Sequence, residues 1–339
     1  MIDVARLAGV SHQTVSRVVN GSDSVNPELA DRVEQAIRQL RYRRNPAARA
    51  LATSRSMSIG IVGFGLAEYG PSAALTGIAD EGRRAGYATS IVSMVEADRA
   101  NMSRALDHLV GESVDGIIVL APVEGALTAL EGVETDTPLV VFHPGAAPAV
   151  DRVATDEVAG ARMATAHLVD TGHRTVHHVS GPQGWLGTSA RIAGWTGELS
   201  ERGLVAPPPL VGDWTTESGY VAGRALAADP RVTAVFAAND QMALGVMKAL
   251  ADEGVRVPGE VSVVGFDGVP ESAYYRPGLT TIGFDFAEVG RRAVDQLLLR
   301  MTGQEPGPVP PVEPTFLLRE SARADLQPRP EHRKQEPHV

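Results

Sequence analysis

The stretch Asp3-Val-Ala-Arg-Leu-Ala-Gly9-Val-Ser11-His-Gln13-Thr-Val-Ser-Arg17-Val-Val-Asn20-Gly21 decides how the front of the chain folds. Val4, Ala5 and Ala8 stand at helical spacing, which predicts a short amphipathic helix. Gly9 has the backbone freedom to leave that helix, and the Ser11 hydroxyl suits the N-cap of the next. Val15, Val18 and Val19 then repeat at three and four, leaving His12, Gln13, Ser16 and Arg17 on the free face. Asn20-Gly21 is a pair suited to positive φ and closes the second helix. Two short helices about a glycine turn, with Gln and Arg on the outer face, spell a helix-turn-helix. Arg17 can give two parallel hydrogen bonds to guanine, and Gln13 can pair bidentately with adenine. Thr14 and Ser16 suit phosphate or base contacts. A small bundle with a merely solvated polar face fits a bare helical hairpin equally well. Pro27 opens a third amphipathic helix through Leu29, Val33, Ala36, Ile37 and Leu40, and the basic, alanine-rich run Arg41 to Leu51 follows.

Charge is unevenly spread. The 339 residues carry a net charge of −10, yet residues 1–55 hold nine arginines against five acidic residues. A basic front on an acidic remainder confines attraction for nucleic acid to one end. The length exceeds one core and suits a small domain plus a larger bilobed one. Cysteine is absent, which excludes disulfides and thiolate metal sites. No signal peptide or apolar run of spanning length is visible, so a cytoplasmic protein without a membrane partner is expected.

Beyond the polar linker Thr53-Ser-Arg-Ser56, strands and helices alternate. The first strand is Ile59-Gly-Ile-Val62, followed by Ala73–Ala85 (helix), Ala88–Met94, Met102–Val110, Val114–Leu120 and Leu139–Phe142. A second set runs through helix Val158–Leu168, strand Thr175–Val179, helices Arg191–Glu201 and Ser218–Ala228, and strand Ala234–Ala238. Helix Gln241–Asp252 and strand Val261–Phe266 complete it. Such alternation predicts parallel sheets. The fold class expected is an α-helical helix-turn-helix headpiece plus an α/β body of two doubly wound lobes, with the cleft between them as the ligand site.

Ligand chemistry belongs where apolar strands end in polar residues. Ala234-Val-Phe-Ala-Ala238 ends in Asn239-Asp240, and Val261-Ser-Val-Val-Gly-Phe266 ends in Asp267. Amide and carboxylate there can chelate neighbouring sugar hydroxyls. Arg191 offers a second bidentate clamp, and Trp185 or Trp214 a flat face for a ring. Asn239 could equally cap its helix, Asp267 a turn, and either Trp could be core. For enzymes the signals fail: in Gly63-Phe-Gly65-Leu-Ala-Glu68 the third dinucleotide glycine is Glu68, and Gly70-Pro71 delays the following helix. No nucleophile elbow, zinc-helix or calcium-loop motif occurs, and His177-His178 point to opposite faces of a strand, so neither cofactor nor metal is expected. A sugar-binding transport protein would share the two lobes but carry a signal peptide and no headpiece.

Asp3-Val-Ala, Ala8-Gly-Val-Ser11, Thr14-Val-Ser-Arg17-Val-Val-Asn20 and the Asn45–Leu51 stretch resemble the headpiece and hinge of the lactose-repressor/galactose-repressor family. Ala238-Asn-Asp-Gln-Met-Ala-Leu244-Gly and Gly212-Asp-Trp214 extend the likeness, most to its lactose-repressor branch, as far as Arg323. The resemblance implies a headpiece over 1–45, a hinge helix and linker over 46–56, and a two-lobed effector-binding and dimerisation domain of the periplasmic-binding-protein type over 57–324. The tail, 325–339, has the composition of disorder and lacks the leucine heptads by which that branch forms tetramers, so a homodimer is expected. Carried over residue by residue, Ser11, His12, Gln13, Thr14, Ser16, Arg17 and Asn20 would meet double-stranded operator DNA. Asn45, Ala48 and Leu51 would enter its minor groove. Pro71, Arg191, Trp214, Asn239, Asp267 and Phe286 would meet the effector, together with Trp185, which stands where the branch has a small residue. Leu244 and Tyr275 match dimer-interface positions. Helix Phe286–Met301 and strand Val312–Leu318 would cross back between lobes.

The departures bear on the effector. Ala97 stands where the branch has an arginine, and an aspartate near Ala159 and a glutamine at Phe284 are absent. A sugar-type pocket follows, without a lactose-like ligand. Family headpieces also carry a threonine ahead of the first helix that caps it; Met1-Ile2 leave no room for it. The start then lies upstream or the DNA affinity is lower, an N-cap being worth about 1 kcal/mol. The function these features imply is repression of carbohydrate-utilisation genes, released when a sugar binds, with co-repression the alternative mode.

Overall fold

The computed structural model describes residues 1–19, 24–42, 55–131, 133, 135–144 and 152–322. The chain divides into two compact units, Met1–Ser56 and Met57–Val339. Asn20, Asn45, Ala48 and Leu51, most of the expected hinge and the tail lie outside the described residues.

The first unit holds helices α1 (Ile2–Ala8), α2 (His12–Val19) and α3 (Pro27–Gln39). Val4, Ala5, Ala8, Val15, Val33 and Ala36 form its core. Gly9 ends α1 in the left-handed region at φ 63°, and the Arg32 guanidinium donates to the Ala8 carbonyl at 2.5 Å, closing the helix end that the turn leaves open. Helix α1 has no side-chain cap at its start. Helix α3 has one: Asn26 Oδ1 accepts from the Glu28 amide at 2.9 Å, with Pro27 in the first turn.

The second unit is built on two sheets. One contains β1 (Ser58–Phe64), β2 (Ala88–Met94), β3 (Gly116–Leu120), β4 (Leu139–Phe142) and β5 (Arg152–Val153), in the order β2-β1-β3-β4-β5, all parallel. Alternate residues of its strands face opposite cores. Ile59, Ile61, Ile118 and Leu120 pack under α4 (Tyr69–Arg84), while Val62, Ile117 and Val119 pack under α5 (Arg99–Gly111) and α6 (Glu124–Leu130). The other sheet contains β6 (His177–Ser180), β7 (Leu210–Val211), β8 (Ala234–Ala237), β9 (Ser262–Asp267), β10 (Thr280–Gly283) and β11 (Thr315–Leu317), ordered β11-β10-β9-β8-β6-β7. Only β11 runs antiparallel to its neighbour. Helices α7 (Glu157–Asp170) and α8 (Leu186–Glu201) cover one face, α9 (Thr216–Ala228) and α10 (Asp240–Asp252) the other.

Between β10 and β11 comes α11 (Phe286–Met301), and it belongs to the first lobe. Val289, Ala293, Val294 and Leu297 complete the core of Ile59, Ile61 and Ile78. Gly77 on α4 meets Gly290 on α11 so closely that a Cβ on either would overlap the other helix's backbone. The segment before α7 and the one before β11 run side by side: the Val312 amide donates to Ala154 O at 2.8 Å and the Asp156 amide to Val312 O at 3.0 Å.

Several element limits differ from the sequence expectation; the helix expected over Arg191–Glu201, for example, begins at Leu186. Helix α4 begins at Tyr69 rather than Ala73, with Gly70 and Pro71 inside its first turn. Amides there have no partner within the helix, so proline costs nothing. The strand expected over Val312–Leu318 shortens to Thr315–Leu317, because Val312 bridges Thr155 instead. The strand expected over Thr175–Val179 spans His177–Ser180.

Candidate functional site

On the first unit, Ser11 Oγ accepts from the Thr14 amide at 3.1 Å, so the expected cap of α2 is formed. His12, Gln13 and Arg17 are exposed, Thr14 and Ser16 half-buried, and Val15 is buried against α1 and α3. Arg17 and Gln13 make no hydrogen bond or ion pair with other described residues. Their donors and acceptors therefore face outward without a competing partner.

On the second unit, a cleft of about 560 Å³ lies between the lobes, its open mouth included. Its lining comes from the carboxyl ends of the strands of both sheets, the position a doubly wound fold gives its ligand. Pro71, Trp185, Arg191, Trp214, Asn239, Asp267 and Phe286, the seven effector candidates, all line it. The lobes also touch directly at its edge. The Glu124 amide donates to Gly184 O at 3.0 Å and the Leu186 amide to Pro122 O at 2.9 Å. Trp185, carried between those two bonds, sets its ring 6.4 Å from Phe64 of one lobe and 5.5 Å from Trp214 of the other.

The floor is ionic. Arg191 is buried; its Nε donates to Glu157 Oε2 at 2.7 Å, its Nη2 to Asp267 Oδ1 at 3.0 Å and its Nη1 to the Ala238 carbonyl. The guanidinium carbon lies 3.9 Å from the Phe266 ring centroid and 5.5 Å from that of Trp214. Burial pushes the Asp267 carboxyl up to about 6 against the pull of Arg191, with Glu157 adding to the rise. Trp214 and Asp267 both hold positive φ, 74° and 95°, a strained setting for side chains of their kind. Such outliers gather at binding sites because the surroundings over-determine them.

The expected clamp and chelate are differently occupied. Arg191 spends its donors on protein acceptors and so organises two carboxylates. Asn239 caps α10 through Oδ1, accepting from the Met242 amide at 2.8 Å, and its Nδ2 donates to Trp214 O at 2.9 Å. Both halves of that amide thus have protein partners, and Asn239 fixes the backbone of Trp214. Leu244 and Tyr275 lie away from the cleft; both are half-buried, and Tyr275 packs on the core under α9 and α10.

Glu68, Tyr69 and Glu157 line the cleft without having been singled out. Glu68 lies beyond β1 and Glu157 beyond β5, so the strand-end rule that selects Asp267 would have reached both. Asp156, the neighbour, is the α7 cap, its Oδ1 accepting from the Ala159 amide at 2.9 Å.

A helix-turn-helix unit on a two-lobed, cleft-bearing α/β unit defines a ligand-responsive DNA-binding regulator. Residues 1–45 match the family described as bacterial regulatory proteins, lacI family, and residues 165–322 match a periplasmic binding protein-like domain. The chain is 35% identical over 307 residues to the lactose operon repressor of Escherichia coli, covering 90% of this chain and 85% of that one. With the HTH-type transcriptional regulator CelR of Thermobifida fusca it shares 35% over 339 residues, 94% and 96% of the two chains. Among solved structures, the lac repressor dimer bound to operator and the anti-inducer ONPF matches with a TM-score of 0.85 at 31% identity, over 95% of this chain and 98% of that one. A CelR–cellobiose complex matches at 0.69 and 30%, over 94% and 98%. The chain belongs to the lacI family of transcriptional regulators. Among the described residues no helix is long and apolar enough to cross a membrane.

Proposed function

We propose that the protein is a dimeric repressor of carbohydrate-utilisation genes that leaves a palindromic operator when a sugar fills the cleft. One observation carries the reading: a chain whose α2 presents unpartnered Gln13 and Arg17 also has an aromatic-walled cleft at the strand ends with an ionic floor. Aromatic faces take the apolar face of a sugar ring, and fixed carboxylates take its hydroxyls. Relatives named for the lactose operon and solved with cellobiose support a sugar as the ligand class.

In this reading Ser11, His12, Gln13, Thr14, Ser16, Arg17 and Asn20 meet operator DNA, and Asn45, Ala48 and Leu51 form the hinge contact in the minor groove. Asp267 accepts from sugar hydroxyls, Arg191 holds Asp267 in place, and Pro71, Trp185, Trp214 and Phe286 enclose the ring. Asn239 contributes by fixing Trp214. Leu244 and Tyr275 lie at the dimer interface. Domain limits of 1–45, 46–56, 57–324 and 325–339 go with these roles, as does work in the cytoplasm without catalysis. A ligand shifts the equilibrium between DNA-bound and released forms only through its differential affinity for them, and a coupling of about 1–3 kcal/mol suffices for a useful switch. The test is retention of DNA selected from random sequence, with and without a panel of sugars. Release by a sugar that is recovered unchanged is expected. Tighter retention with sugar would make it a co-repressor, and turnover of the sugar would defeat the reading.

A further inference from the structure

We infer that the effector of this protein carries a protonated amine, and that Glu68 is the residue that selects it. The inference rests on the cleft being the effector site. Among the described lining residues the charged groups are Glu68, Glu157, Asp267 and Arg191: three carboxylates and one guanidinium. Glu157 and Asp267 share that guanidinium, at 2.7 and 3.0 Å. The Glu68 side chain has no hydrogen bond or ion pair with any described residue. The charges it feels, from Asp267 and Asp213, have its own sign, and burial and those neighbours together hold its carboxyl above the usual range.

Nothing in the fold calls for a carboxylate there. Glu68 is the residue before α4, yet its side chain makes no capping bond to that helix. A half-buried, unpaired acid facing two others costs stability, and such a cost is characteristic of groups kept for a ligand. The helix N-termini that open on the cleft, each equivalent to about half a charge, together offset the surplus, but none of them gives the Glu68 carboxylate a hydrogen-bonded partner of its own.

The rest of the lining fits a cation. Tyr69, Trp185, Trp214 and Phe286 bring aromatic faces to the same space, and aromatic faces attract ammonium groups most strongly where water is excluded. The Trp214 indole N–H is buried and finds no acceptor among the described residues, in a side chain that is 8% exposed and lines the cleft. An ammonium for Glu68, on a sugar ring that the aromatic walls suit, describes an amino sugar. A neutral sugar could donate a hydroxyl to Glu68 but would bring no charge opposite to that of the carboxylate.

The experiment compares glucosamine and galactosamine with their N-acetyl forms and with glucose and galactose, by calorimetry and thermal shift on the full-length protein. Amino sugars are expected to bind and the other forms to bind at least about 10-fold more weakly, the discrimination a lost charge-assisted hydrogen bond produces. In Glu68→Gln and Glu68→Leu the amino sugars should lose about 10–100-fold while the proteins melt no lower than the wild type. Binding of neutral sugars without preference for the amine overturns this inference and leaves the sugar-site reading standing. Binding by none of the six overturns this inference and leaves the sugar-site reading to the wider panel. Variants that melt several degrees lower would make Glu68 a residue of the fold. The comparison of amine with acetamide on the unaltered protein decides the ligand class without any variant.

Discussion

The Arg191 guanidinium meets Glu157, Asp267 and the Ala238 carbonyl, so each of its edges is spent inside the protein. Removing one partner of a buried ionic cluster strands the others, at about 3–5 kcal/mol. Arg191→Met is therefore expected to lower the unfolding free energy of the second unit by that amount in urea melts without any ligand. A loss below about 1 kcal/mol would mean that water already serves these carboxylates. Asp240 allows a pH test. Fully buried, it accepts from the Val269 amide at 2.8 Å and from the Thr281 hydroxyl at 2.5 Å. Burial pushes its carboxyl up to about 7, Thr281 opposing. The folded state thus binds a proton that the unfolded state has released. The stability this proton brings is present below about pH 4 and lost as pH rises through about 7. His173 and His178, pushed down to about 4 by burial, act oppositely, losing stability as pH falls from 6.5 towards 4. The difference between wild type and Asp240→Asn separates the two effects. The variant should gain on the wild type by a few kcal/mol between pH 4 and pH 8, in urea melts, and parallel curves would refute the assignment. At this scale the sequence pointed to Asp267 because a strand ending in a polar residue marks a site, and to Trp214 through its flat ring and the family resemblance. It allowed the cap that Asn239 forms, but it could not pair Glu157 with Arg191, 34 residues further on, or show that the Asn239 amide would donate to Trp214 O.

Helix α2 was the most legible element, because its three valines, its capping serine and its polar face agree on one register. That agreement gives the base-reading assignment its test. Arg17→Ala should weaken binding to the preferred DNA by about 1–3 kcal/mol and relax one base position in each half-site. Selection from random DNA reads this directly, and an unchanged preferred sequence would remove Arg17 from that role. Helix α4 was less legible. A Gly-Pro pair reads as an interruption, yet both residues fit where amides need no partner, and only the strand before them shows where the first turn starts. In α10 the residues read as ligand chemistry serve the helix as well, since Asn239 is its cap and Asp240 its first residue.

For the molecule as a whole, pairing between two copies is the remaining expectation. Tyr275 is half-buried within one chain, its hydroxyl pushed up to about 12 by burial, while Tyr274 beside it is 86% exposed. If Tyr275 lies at the interface, Tyr275→Asp should sediment as a monomer and lose operator affinity, since one headpiece meets half a palindrome. A variant that remains dimeric, with a melting point near that of the wild type, would place the interface elsewhere. Two lobes were legible from alternating strands and helices, but the crossing of α11 back to the first was expected only from the family resemblance. Periodicity shows that a helix has an apolar face and says nothing about the sheet it covers; here the Gly77–Gly290 approach seats it on the first lobe. That placement matters while the protein is being made. The first sheet is complete in the chain at Val153, but α11 leaves the ribosome only after about 130 more residues, a delay on the order of 10–30 s at ordinary rates of translation. Throughout it, Ile59, Ile61 and Ile118 await their cover while the second lobe is synthesised. A message cut short before the codon for Phe286 therefore yields no sound first lobe, because its cover is made only after most of the second lobe.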